Sequence, residues 1–336
     1  MKYRAAIVNL ILVVFGLLIG LAVSEAVLSI WFAPDHNSSF ENLEDLRRAM
    51  LTPDKNKSSS GSVPLAHIIT PHPDDNIIYD LRPNLDVRFQ RVRVKTNSCG
   101  MRGPERTITK PPGVYRIALL GDSFAFGWGV PQNKIFAQVM EDSLNRLFKG
   151  KPKVEVLNFG VPGYSTFQEV AKFKETGLDF NPDAVLVYFV DNDFGMPFYV
   201  RDVHRRGRLM SALRFADLAR KALDPEIEQQ RIDFFKYNPN RSLKELADIT
   251  TKNGIKLYLT INPRKNWLSN KKKLWVLKRN NRIRFFSLRK ELLYVLNVRG
   301  LTATDITLKD DPHPNAVRHE ILGELLAAHM AAAIEG

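Results

Sequence analysis

Apolar and polar positions follow three different rhythms along the chain. Residues 5–24 contain no charged side chain and are rich in Leu, Ile and Val, and the apolar run resumes after Glu25 as far as Phe32. A helix without a polar face belongs in a fully apolar environment, and about 20 apolar residues suffice to cross a bilayer. Lys2 and Arg4 precede the run, a basic flank that predicts a cytoplasmic N-terminus. Residues 1–33 are therefore expected to form an uncleaved transmembrane anchor. A removable signal peptide is the rival, because Ala22 and Ser24 are small residues at cleavage-like spacing. Either reading places the remainder outside the cytoplasm, on the periplasmic or extracytoplasmic side of the membrane.

The second rhythm is polar. Residues 34–65 are serine-rich, most so at 55–61, and read as a linker. Residues 66–113 are expected to be an extension packing on the main domain. Within it, residues 86–96 alternate Val and Phe with polar positions, which suits an edge strand or hairpin.

The third rhythm begins at Val114. Strand-length apolar runs at 115–120, 154–158, 184–190 and 255–261, with a weaker fifth at 298–302, alternate with helix-like stretches at 135–148, 166–177, 242–253 and 316–334. Such alternation predicts a mostly parallel sheet covered by helices on both faces. Residues 114–336 thus form the candidate catalytic domain, a three-layer α/β/α fold.

Composition narrows the partners. The net charge is +13, with pI near 9.7, which favours anionic partners. Basic insertions are expected at 201–221 and 264–290. The latter interleaves Lys and Arg with Trp267, Trp275, Phe285 and Phe286 and contains no acid. It reads either as a solvated amphipathic helix or as a surface for anionic lipid or acidic glycan. Nucleic acid would require a cytosolic domain, which the N-terminal run argues against. The single cysteine, Cys99, excludes an intrachain disulfide and a cysteine-based zinc site.

Chemistry concentrates where strands end. The run 116–120 stops at Gly121-Asp122-Ser123, and loops at the carboxyl ends of parallel strands are where α/β folds place ligands. After 154–157 comes Asn158-Phe159-Gly160, whose glycine lets a backbone N–H approach a ligand oxygen. After 185–190 comes Asp191-Asn192-Asp193, whose Asn192 amide can donate a hydrogen bond. Before the last helix stands Asp310-Asp311-Pro312-His313-Pro314. His313 is suited to general base catalysis. Asp310, three residues upstream, is the expected orienting carboxylate, and Asp311 is its local competitor.

The order of these blocks resembles the SGNH (GDSL-type) hydrolase family over roughly residues 114–334. The resemblance implies a flavodoxin-like SGNH fold and acyl transfer through a covalent intermediate. Ser123 would be nucleophile and first oxyanion donor, Gly160 and Asn192 further donors, and Asp310 and His313 would complete the triad. The glycine usual two residues before the asparagine is here Val190. Residues 96–105 look like the segment preceding the catalytic strand in membrane-anchored bacterial members, which often accompany envelope polysaccharide biosynthesis. The implied activity is cleavage of O-acyl esters, acetyl above all, on an acylated polysaccharide. The rivals are an O-acyltransferase using the same residues and a non-catalytic glycan-binding or scaffold protein. No metal or cofactor is expected, and the oligomeric state is left open.

Other motifs carry less. His72-Pro73-Asp74-Asp75 resembles a zinc-deacetylase motif, but no His-x-x-His follows it, so an exposed turn is expected. Gly127-Trp128-Gly129 lacks the lysine of a phosphate loop and is expected to shape the mouth of the Ser123 pocket. His319 and His329 are expected at the surface or boundary of the last helix, and Cys99 has no evident base partner.

Overall fold

The structure, a computed structural model, describes residues 2–31, 62–195, 237–309 and 311–335. Most of the expected linker, the basic insertion at 201–221 and Asp310 lie outside the described residues. The chain divides into two units, Met1–Leu46 with Tyr199–Phe235, and Arg47–Phe198 with Lys236–Gly336.

The described element of the first unit is helix α1 (Lys2–Trp31). Its 30 residues would extend ~45 Å at 1.5 Å per residue. Leu12, Val13, Phe15, Leu17, Leu18 and Ile19 all expose their side chains. Among the described residues no helix is long and apolar enough to cross a membrane. Within α1 the described side chains run without a break only over 12–24.

The second unit opens with two antiparallel pairs. Strands β1 (Ile69–Pro71) and β2 (Tyr79–Leu81) form one, and β3 (Asp86–Phe89) and β4 (Val92–Lys95) the other. The second is the hairpin expected from the alternation at 86–96. The first lies against the segment after β6: Tyr79 Oη donates to Pro162 O at 2.7 Å, and Gln168 Nε2 donates to Ile77 O at 2.9 Å. The second sets Phe89 against the rings of Phe126 and Trp128.

The main sheet comprises β5 (Val114–Leu120), β6 (Lys153–Asn158), β7 (Ala184–Phe189), β8 (Lys256–Ile261) and β9 (Ile283–Phe285). Every pairing in it is parallel, in the order β6-β5-β7-β8-β9, which is the flavodoxin-like order. Side chains alternate between faces. Ile117 and Leu119 pack against α3 (Phe136–Leu147) and α9 (Ala316–Glu335), while Ala118 and Leu120 pack against α4 (Thr166–Lys172) and α5 (Pro239–Lys252). The three layers expected from the sequence are present. The chain turns one way from β5 to β6 and the other way to β7, so the crevice between the ends of β5 and β7 is the switch point.

The fifth strand is not the expected one. Residues 298–302 begin at the end of helix α8 (Arg289–Val298), and the sheet's edge is Ile283–Phe285, inside the basic segment. Ile283 and Phe285 pair with Leu257 and Leu259 of β8, and Arg284 between them is exposed. Three residues with one arginine give too short an alternation to read, and pairing to β8 decides their conformation. The remainder of the segment forms two short helices, α6 (Trp267–Lys273) and α7 (Val276–Arg279), rather than one amphipathic helix.

A buried arginine fastens the lower end of this sheet. Arg116, fully buried in β5, donates from Nε to Glu155 Oε2 at 3.0 Å and from Nη1 and Nη2 to the carbonyls of Ile108, Phe180 and Thr107. Removing one partner strands a buried charge and three acceptors, so Arg116→Ala is expected to cost about 3–5 kcal/mol of stability. Urea unfolding monitored by circular dichroism checks this.

Candidate active site

Leu120 ends β5 and Asp122 begins a new turn. Its Oδ1 accepts the N–H of Phe124 at 2.9 Å, capping the short helix α2 (Ser123–Phe126). Ser123 stands at the first position of that helix, where its N–H has no carbonyl within the helix to receive it. The side chain is 8% exposed. Across the crevice, His313 Nε2 lies 2.8 Å from Ser123 Oγ.

The carboxylate on His313 belongs to Asp311. Its Oδ1 lies 2.5 Å from His313 Nδ1 and also accepts the His313 N–H at 2.8 Å. Asp310, the orienting carboxylate that the sequence suggests, lies outside the described residues. Two residues of separation let one Asp311 oxygen close an Asx turn on the His313 amide and meet the ring at once. The other oxygen of Asp311 accepts the Trp128 indole N–H at 3.1 Å. Burial raises the Asp311 pKa, but the hydrogen bonds from His313 and Trp128 outweigh it and hold the carboxyl below its ordinary range. An ionised acceptor facing Nδ1 fixes the proton on that nitrogen, leaving Nε2 free to accept from Ser123.

Trp128 does more than shape a mouth. Its ring stacks on His313 with centroids 5.1 Å apart and an interplanar angle of 19°, while Phe124 meets the imidazole from another side at 5.4 Å. The loop that carries Trp128 is held by Arg102, a residue the sequence did not single out. Arg102 is fully buried and donates to the carbonyls of Phe126, Gly127 and Val130 and to Gln132 Oε1. Burial lowers its pKa to about 9. Gly127 has φ +85, and a Cβ there would lie 2.3 Å from Ile135 Cγ2, so this bend admits only glycine.

The expected oxyanion donors fare differently. Asn192, in the turn after β7, donates from Nδ2 to Asp122 Oδ2 at 2.8 Å. That leaves its second amide hydrogen for a ligand. It lines a pocket of about 200 Å³ with Ser123 and His313. Gly160 does not line this pocket, and its N–H is donated to Asn158 Oδ1 at 3.0 Å. A Cβ at Gly160 would meet Phe126 N at 2.4 Å, so in this structure the glycine lets β6's loop pack on helix α2. Asn262, also unsuspected from sequence, follows β8 and lines the pocket, accepting from Tyr188 Oη at 3.2 Å and Arg318 Nη2 at 2.9 Å.

Behind the crevice lies a cluster of buried acids. Asp122 is raised by burial, against the pull of its hydrogen bonds from Phe124 and Asn192. Asp193 accepts the Val190 N–H at 2.6 Å, and neither carboxyl oxygen of Glu169 has a hydrogen-bond partner among the described residues. Burial first, and then neighbouring negative charge, from Asp193 and Asp122 on Glu169 and from Asp122 on Asp193, pushes both well above the ordinary carboxylate range.

The remaining motifs take structural places. His72 Nε2 lies 3.2 Å from Glu175 Oε2 in a turn, and Cys99 is half-buried. His329 is half-buried, stacked on Phe286. His319, expected near the surface, is fully buried. Its Nδ1 accepts the Phe136 N–H at 3.0 Å, and burial lowers its pKa to about 3, because the first residue of α3 needs an acceptor for its amide and α9 packs directly on it. Among the described residues no group of three or more His, Cys, Asp or Glu side chains could hold a metal ion.

No family model matches the sequence, and no curated protein does. Among solved structures, the chain is similar to a two-domain esterase active on acetylated mannans, co-crystallised with mannopentaose. There the identity is 16%, covering 66% of this chain and 50% of that one, with a TM-score of 0.40. It is also similar to the psychrotrophic esterase EstA from Pseudoalteromonas sp. (11% identity, 66% and 99% covered, TM-score 0.41) and to the lipase/acylhydrolase from Enterococcus faecalis (18%, 65% and 96%, 0.39). The chain thus spans about half the length of the two-domain esterase.

The acid cluster has a pH signature. A carboxyl whose pKa is raised on folding holds more protons folded than unfolded, so its stability contribution is full below about pH 4 and is lost as pH rises toward the folded value. Glu169→Gln, neutral at every pH, is expected to flatten that loss and raise the melting temperature at pH ~8 by roughly 2–4 °C. Thermal melts of the two proteins across pH check it.

Proposed function

We propose that the protein is a serine esterase of SGNH type, with Ser123 as nucleophile, His313 as general base and Asp311 as the orienting carboxylate. The observation that carries this is the continuous pair of contacts, Ser123 Oγ to His313 Nε2 at 2.8 Å and His313 Nδ1 to Asp311 Oδ1 at 2.5 Å. His313 Nε2 takes the hydroxyl proton as Ser123 Oγ bonds to the ester carbonyl carbon. The carbonyl electron pair moves onto oxygen, toward the Ser123 N–H and the free hydrogen of Asn192 Nδ2. The imidazolium then passes its proton to the departing alcohol, and water, deprotonated by the same nitrogen, releases the acid from the acyl-enzyme.

Asp122 serves this reaction indirectly. One of its oxygens caps the nucleophile's helix and the other orients Asn192, so both oxyanion donors are positioned by a single buried carboxylate. The proposal extends to attachment at the outer face of the cytoplasmic membrane through α1, supported by its exposed apolar side chains. It also extends to an O-acyl group on carbohydrate as substrate class, which rests on the sequence resemblance.

Hydrolysis of p-nitrophenyl acetate is the direct test. Ser123→Ala is expected to lower kcat at least about 10³-fold, and Asn192→Ala about 10²–10³-fold. Asp311→Asn is expected to cost on the order of 10⁴-fold, while Asp310→Asn stays close to wild type. Wild-type turnover by the Ser123 variant would overturn the nucleophile assignment, and the reverse order of the two aspartates would overturn the triad as drawn.

A further inference from the structure

Beside the serine pocket lies a larger groove of about 830 Å³, and the two share Asp191, Arg264 and Pro312 in their walls. One side of the groove is aliphatic, with Leu292, Leu293 and Leu296 from α8 and Leu301 and Ile306 from the loop beyond it. Among the described residues no aromatic ring lines it, and Leu293 is 52% exposed. A flexible alkyl chain suits such a wall better than a rigid polar ring does.

The other side is cationic. Arg264, Lys265, Arg289 and Arg318 all line the groove, and none of them forms an ion pair with a described carboxylate. Among the described residues of the wall the one acid, Asp191, accepts from the Asn270 amide. Arg318 is 5% exposed, and its Nε is buried without an acceptor among the described residues. Arg264 spreads over the Phe124 ring at 4.8 Å and donates to Pro312 O, one residue before the general base. A buried guanidinium without a carboxylate is costly, and an anion delivered to this wall would relieve it. Burial and the like charge of Arg264 also lower the Arg318 pKa.

We propose that this groove binds an anionic amphiphile, a chain lying over Leu292, Leu296 and Ile306 and carrying a phosphate or carboxylate held by Arg264 and Arg318. For its link to catalysis this rests on the esterase reading: the O-acyl group presented to Ser123 is then carried by an acidic amphiphile.

The test uses the full-length protein and three probes, n-hexyl phosphate, 1-hexanol and inorganic phosphate, as inhibitors of p-nitrophenyl acetate hydrolysis. Hexyl phosphate is expected to inhibit at least about tenfold more tightly than either of the others, since charge-assisted bonds and chain burial act together. Arg264→Gln is expected to reduce that preference at least about fivefold, with Arg264→Lys restoring part of it. Lys265→Glu, at an exposed position, is expected to reduce it as well without threatening the fold. Equal inhibition by hexyl phosphate and hexanol, or a preference untouched in both Arg264→Gln and Lys265→Glu, would overturn the proposal. If the protein hydrolyses no ester, the esterase reading fails by itself. Calorimetric titration with the same three probes then decides the groove: preferential binding of hexyl phosphate sustains the anion site, and its absence removes it.

Discussion

A buried guanidinium, Arg102, is the constraint on which the site's geometry depends. The chain between Phe126 and Val130 must reverse within a few residues, and such a bend leaves carbonyls pointing inward with no strand or helix to receive them. Arg102 receives three of these and fastens Gln132 besides. With the bend fixed, Trp128 reaches both the imidazole face and the second oxygen of Asp311. The His313 imidazole is therefore set from its own loop on one side and from the extension ahead of the sheet on the other. A cation buried among neutral acceptors costs free energy, which the fold tolerates because no neutral side chain offers five donors in one plane.

Electrostatics around the crevice are arranged in depth. At its floor, Asp122 is buried and accepts from the Phe124 N–H and the Asn192 amide. Behind it, Asp193 and Glu169 hold protons that water-exposed carboxyls would release. At its mouth stand Arg264 and, deeper, Arg318. The arginines make the mouth favourable for negative charge, while the protonated acids behind the floor add no opposing charge of their own.

Much of the fold was legible in the chain because long apolar runs report burial directly. The runs at 115–120, 154–158, 184–190 and 255–261 became β5, β6, β7 and β8, within a residue or two at each end. Helices α3, α5 and α9 followed their periodic stretches. The short edge strand at Ile283–Phe285 and the split of residues 264–290 into two helices were not legible. Each is shorter than the window over which a period can be counted, and each takes its conformation from the neighbour it packs on. His319 was misplaced for a related reason: a lone histidine in a helix does not announce that a second helix's amide will need it as acceptor.

The sequence by itself determined which groups stand at the ends of the parallel strands and in what order: Ser123, Gly160, Asn192 and, far downstream, His313. Only the tertiary structure decided how they are used. It brought His313 across 190 residues of chain to Ser123, and it set Asp311 against the imidazole. It also turned Gly160 to packing and recruited Arg102, Trp128, Asn262 and Arg264 around the pocket. The division has one physical cause. Burial and backbone conformation are properties of short stretches and show in their pattern, whereas a hydrogen bond between side chains distant in sequence depends on ångström-scale placement that only the packed sheet supplies.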